Sequence, residues 1–112
     1  MVDVNGKWAL ITGASRGIGY QIAKFMAEQG CNLILQSRKL EHTRQLEQEV
    51  RTLGVQVYSV QAELSNQQEV VAMLDEIEAQ GTPVDIVFNN AAVQIAYRKD
   101  YWQTPVSDFE QS

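Results

Sequence analysis

The most constraining feature of this chain is the run Thr12-Gly13-Ala14-Ser15-Arg16-Gly17-Ile18-Gly19. It follows directly on an apolar stretch of β character, Trp8-Ala9-Leu10-Ile11, and leads directly into a segment of helical spacing. Gly13 permits a sharp turn, Gly17 lets backbone approach a phosphate, and Gly19 allows the helix to pack close to the strand. The first N–H groups of such a helix, Ser15 to Ile18 included, face a bound anion, and the helix dipole adds to the attraction. No Gly-Lys-Ser/Thr ending is present, which disfavours a mononucleotide P-loop. The plainer alternative is a glycine-rich turn required only for tight packing.

The rest of the chain repeats this alternation. Ile18, Ile22, Phe25 and Met26 are expected to share one buried helical face, and Gly30 to end that helix. Asn32-Leu33-Ile34-Leu35 reads as a buried parallel strand. A polar helix follows, with Leu46, Val50 and Leu53 in register and Gly54 at its end. Val55, Val57, Tyr58 and Val60 form a third strand. Ser65, with Gln68 three residues on, resembles a capping box that opens a helix on Val70, Leu74 and Ile77. After Gly81 and Pro83 comes a fourth strand, Val84-Asp85-Ile86-Val87-Phe88.

The order β-α-β-α-β-α-β predicts an α/β fold of Rossmann type: a doubly wound parallel sheet in three layers, α/β/α. Right-handed crossovers give the strand order 3-2-1-4. Ligands bind such sheets beyond the strand carboxyl ends, where the order reverses. Here that point lies between the loop from Thr12 to Gly19 and the segment from Asn89 onward. A flavodoxin-like regulatory domain shares the alternation, but leaves Asn89-Asn90-Ala91 unexplained and lacks an acidic cluster after the first strand.

The formal net charge of −5 argues against nucleic acid or an anionic membrane surface as a partner. No apolar run is long enough to span a bilayer, and the first residues lack the pattern of a secretory signal. Cys31 is the only cysteine, so no internal disulfide is available, and a cytoplasmic setting fits. His42 is the only histidine, which leaves no metal cluster and no Ser-His pair; it is expected to be an exposed helix residue.

The motif Thr12-Gly13-x-x-x-Gly17-x-Gly19 is similar to the cofactor signature of the short-chain dehydrogenase/reductase family. Asn89-Asn90-Ala91-Ala92 resembles that family's Asn-Asn-Ala-Gly motif, with Ala92 in place of glycine. The resemblance covers essentially the whole chain. It implies that Asn90 and Ala91 flank the adenosine ribose and steady the central sheet. It also implies that Glu63 and Leu64 meet the adenine, with Glu63 standing where the family usually has aspartate. A solvated loop carboxylate is the alternative for Glu63.

NAD-specific sites commonly place a carboxylate at the end of the second strand to hold the ribose hydroxyls. This chain instead reads Gln36-Ser37-Arg38-Lys39, with no acid before Glu41. An arginine offers a 2′-phosphate a forked donor set and can stack on adenine. Arg38 is expected there, with Arg16 reaching in from the glycine turn and Ser37 adding a hydroxyl contact. The cofactor reading is therefore NADP(H), which also matches the family's NADP-preferring pattern and its beta-ketoacyl-(acyl carrier protein) reductase-like members. The alternative makes Arg38 and Lys39 a solvated helix start.

The resemblance further implies hydride transfer between NADP(H) and a small-molecule carbonyl or secondary alcohol, by a catalytic Asn, Ser, Tyr and Lys. None of those positions is matched within residues 1–112. The chain is accordingly expected to be the N-terminal portion of one nucleotide-binding domain, inactive alone, in a parent enzyme that assembles as a homo-oligomer. An inert nucleotide-binding module is the rival reading. Tyr20-x-x-x-Lys24 has the spacing of the catalytic pair but lies on the helix after the phosphate turn, where an outward surface or interface role is expected. Tyr97, Tyr101 and Trp102 either border a substrate cleft or pack against the second half of the domain or a neighbouring subunit.

Overall fold

The computed structural model describes residues 3–90. Four parallel strands form one sheet: β1 (Trp8–Ile11), β2 (Asn32–Ser37), β3 (Val57–Gln61) and β4 (Ile86–Phe88), in the order β3-β2-β1-β4. Their register pairs Leu10 with both Ile34 and Val87, and Ile34 with Tyr58. The expected order and the alternation of strands with helices are therefore present.

Helices cover both faces: α1 (Gly17–Glu28) and α2 (Arg44–Arg51) on one, α3 (Gln67–Ala79) on the other. Ala9, Ile11, Leu33 and Leu35 point toward α1 and α2, where Ala23, Ala27, Leu46 and Val50 complete a core. The alternate residues Leu10, Ile34, Val60 and Val87 meet Val70, Met73, Leu74 and Ile77 of α3. Burial on both faces is why β1 and the first part of β2 read as continuous apolar runs rather than alternating ones.

Three local expectations are corrected. The buried stripe of α1 is Gly19, Ala23 and Ala27, whereas Ile18 is 67% and Phe25 52% exposed. Small residues at i, i+4 and i+8 bring the helix axis near the sheet, and Ile22 and Met26 pack only at the margin. Leu53 is also exposed, because α2 has ended at Arg51 before its turn comes round. The cap of α3 is Asn66, not Ser65: the Asn66 side chain accepts the Glu69 N–H at 3.2 Å. Ser65 instead donates its hydroxyl to Glu63 at 3.1 Å. Asparagine caps as well as serine, and the box is simply one residue further on.

β2 runs two residues beyond the apolar stretch, since Gln36 and Ser37 continue the ladder opposite Val60 and Gln61. A 3₁₀ turn, Leu40–Thr43, then leads into α2. These extra residues carry the chain to the edge of the site.

Candidate nucleotide site

A pocket of about 640 Å³ opens beyond the carboxyl ends of the strands, within the size range of small-molecule sites. One wall is the glycine turn, with Gly13, Ser15 and Arg16. The end of β2 supplies Ser37 and Arg38, the segment after β3 supplies Glu63 and Leu64, and Asn90 closes the side next to β4. Gly17, Ile18 and Gly19 do not line it. Gly17 and Ile18 begin α1 on its exposed side, and Gly19 lies beneath the turn. Ala91, like Tyr97, Tyr101 and Trp102, lies outside the described residues.

Gly19 sets the closeness of α1 to the turn. A Cβ there would sit 2.3 Å from the Gly13 carbonyl oxygen and 2.8 Å from Asn90 Nδ2, so no other residue fits without displacing backbone. Gly17 has open space around it but a φ of +65°, a left-handed backbone that side chains disfavour. The first glycine of the pair is needed for conformation, the second for room.

The end of β4 is tied to this turn. Thr12 donates its hydroxyl to Asn89 Oδ1 at 3.0 Å, and its N–H reaches the Phe88 carbonyl at 3.1 Å. Asn90 Nδ2 donates to the Gly13 carbonyl at 3.2 Å. The two asparagines thus hold the switch point between β1 and β4 together.

The amino terminus of α1 is open to an anion. Its N-cap residue, Arg16, makes no side-chain capping bond, and no acidic residue occupies the first turn. By contrast, α3 caps itself with Asn66 and places Glu69 in its first turn. A helix whose leading N–H groups are left without a side-chain cap, beside an arginine, is a fitting cradle for a pyrophosphate.

Arg38 and Glu63 face each other across the rim, Nη1 to Oε1 at 4.0 Å, and both are well exposed. Such a pair contributes little to stability. Glu63 is also steadied by the Ser65 hydroxyl. The Ser37 hydroxyl donates to the Lys39 carbonyl at 2.6 Å, so it cannot donate to a phosphate without releasing that bond. Ser37 lines the pocket beside Arg38, and this bond ties the end of β2 to the loop that follows.

Two lining residues were not foreseen. His42, exposed as expected, also lines the pocket from the 3₁₀ turn that follows β2. Gln36 also lines the pocket, and its signal was an amide directly after the apolar stretch of β2. Tyr20 and Lys24 lie apart from the pocket. Tyr20 donates its hydroxyl to Glu49 of α2 and Lys24 pairs with the same carboxylate at 3.9 Å, so both bridge α1 to α2 on a partly exposed surface. The bond to Glu49 pushes the Tyr20 hydroxyl above its usual range.

Residues 7–112 match the family model described as short chain dehydrogenase. The chain belongs to the short-chain dehydrogenase family. Among curated members, it is 38% identical to the 3-oxoacyl-[acyl-carrier-protein] reductase of Staphylococcus aureus over 78% of this chain and 36% of that protein. It is 33% identical to the human dehydrogenase/reductase SDR family member 1 over 93% of this chain and 35% of that protein. Among solved short-chain dehydrogenases, a metagenomic short-chain oxidoreductase in complex with NADP superposes with a TM-score of 0.73 at 33% identity, covering 82% of this chain and 42% of that one. A 3-oxoacyl (acyl-carrier-protein) reductase from Agrobacterium tumefaciens with NADP bound gives 0.72 at 33% identity, covering 87% and 37%. The chain therefore spans little more than a third of the length of these curated relatives. Among the described residues, no helix is long and apolar enough to cross a membrane, and no group of three or more His, Cys, Asp or Glu is placed to hold a metal.

Proposed function

We propose that this chain is the NADP(H)-binding portion of a short-chain oxidoreductase. The observation that carries the reading is the end of β2, which offers the pocket Arg38 where an NAD-type site would offer a carboxylate. Arg16 adds a second cation from the glycine turn, and the uncapped start of α1 adds N–H groups for the pyrophosphate. Glu63 and Leu64 would border the adenine, and Asn90 with Ala91 the ribose. Two similar solved structures were determined with NADP, which supports the same cofactor here.

When bound, the nicotinamide supplies or accepts a hydride, and the complete protein would pass it to or from a carbonyl or secondary alcohol. The part of this chain is to bind and orient. Residues 1–112 would form the first portion of a single nucleotide-binding domain, in a cytoplasmic homo-oligomer acting on a small molecule, with these residues alone inactive.

The test is titration of the chain with NADPH and NADH, followed by nicotinamide fluorescence. NADPH is expected to bind at least about ten-fold more tightly, the scale of charge-assisted bonds to one phosphate. Arg38→Asp should erase or reverse that preference. Equal binding of both cofactors by the wild type would overturn the NADP(H) reading.

A further inference from the structure

Gln36 follows the apolar run of β2 and is only 2% exposed. A buried carboxamide must find partners for both its ends. Its Oε1 accepts the Gly13 N–H at 2.8 Å, and its Nε2 donates to the Ala62 carbonyl at 2.8 Å. Its backbone carbonyl accepts the Ala14 N–H at 3.0 Å. Gly13 begins the phosphate turn, and Ala62 immediately precedes Glu63 and Leu64 on the opposite wall. On the other side of the turn, Asn90 holds the Gly13 carbonyl. Gly13 is thus bracketed by two carboxamides, one from β2 and one from beyond β4. Asn90 joins the turn to β4, whereas Gln36 joins it to the wall beyond β3.

We propose that Gln36 is a positioning residue that keeps the phosphate turn and the 62–64 wall in register, so that the pyrophosphate and the adenine of one dinucleotide are met at once. The proposal rests on the reading of this pocket as an NADP(H) site. The position demands one acceptor and one donor at fixed separation. Glutamine supplies both. Methionine supplies neither, and an ionised glutamate accepts but does not donate.

The experiment compares wild type, Gln36→Met and Gln36→Glu in calorimetric titrations with NADP⁺ and with adenosine 2′-monophosphate. Gln36→Met should bind NADP⁺ about ten-fold more weakly, the scale of a lost buried hydrogen bond. The monophosphate meets the adenine side and Arg16 but carries no pyrophosphate, and it should weaken by no more than about two-fold on the same scale. Gln36→Glu should resemble Gln36→Met at alkaline pH and approach wild type as the pH falls, because a protonated carboxyl again donates and accepts. Expressing affinity as a ratio to wild type at each pH cancels titration of the ligand's own phosphate. Parallel loss of both ligands with a pH-independent ratio would mean a purely structural role and overturn the proposal. Should neither variant fold, amide exchange on the wild type decides: the Gly13 N–H is expected to be protected without ligand, and unprotected exchange would overturn the proposal. Undiminished NADP⁺ binding by Gln36→Met overturns it alone, whereas a wild type that binds no NADP⁺ overturns the cofactor reading and the inference with it.

Discussion

Gly17 and Gly19 are two residues apart and would fail for different reasons. Alanine at position 17 meets nothing within 4 Å but must adopt a φ of +65°, a strain of about 1–2 kcal/mol. Alanine at position 19 must push the Gly13 carbonyl and the Asn90 amide aside. Overpacking of this kind costs about 1–3 kcal/mol, and here it also displaces the turn. Both variants should lower the urea midpoint, but Gly19→Ala should lose NADPH binding more completely than its stability loss explains; equal binding losses in the two would contradict this. Cys31 makes a separate prediction. Burial pushes its thiol up from 9.0 to about 11, with Asp85 adding to the shift. A raised folded pKa favours the neutral thiol, so its contribution is complete below about pH 9 and is lost as the pH climbs toward 11. The stability gap between wild type and Cys31→Ala, measured by urea denaturation, should narrow over that window. A constant gap would contradict the assignment.

At the scale of elements, the sequence was legible where pattern and chemistry agreed. β1 and β2 announced themselves as apolar runs, and the first helix stopped where Gly30 predicted. The face of α1 was not legible, because hydrophobic spacing gave weight to Ile18 and Phe25 over the small Ala23 and Ala27 that fit against the sheet. The cap of α3 was displaced for a similar reason: Ser65-x-x-Gln68 and Asn66-x-x-Glu69 both satisfy the pattern, and only the backbone chooses. This choice is measurable. Asn66→Ala should cost about 1 kcal/mol in chemical denaturation, in the range for a lost N-cap. Ser65→Ala should change stability much less, since its hydroxyl serves a solvent-exposed bond to Glu63. Equal losses in the two variants would contradict the assignment of the cap to Asn66.

For the molecule as a whole, topology carried most of the candidate site. The order β3-β2-β1-β4 puts the glycine turn, the end of β2 and the residues after β4 at one edge of the sheet. Charge patterning along β2 then singled out Arg38. What single-residue reading missed were groups whose roles depend on neighbours distant in sequence. Gln36 connects Gly13 to Ala62, Ser37 spends its hydroxyl on Lys39, and His42 reaches the rim only through the 3₁₀ turn. The central claim is that this edge receives NADP(H). Its most direct test is mapping amide chemical-shift changes as NADP⁺ is added to the chain. Changes should concentrate at Gly13, Ser15 to Gly19, Ser37, Arg38, Glu63 and Leu64, leaving the carboxyl end of α3 unmoved. Saturable changes centred instead on the α1–α2 surface around Lys24 and Glu49, or none at all, would contradict it.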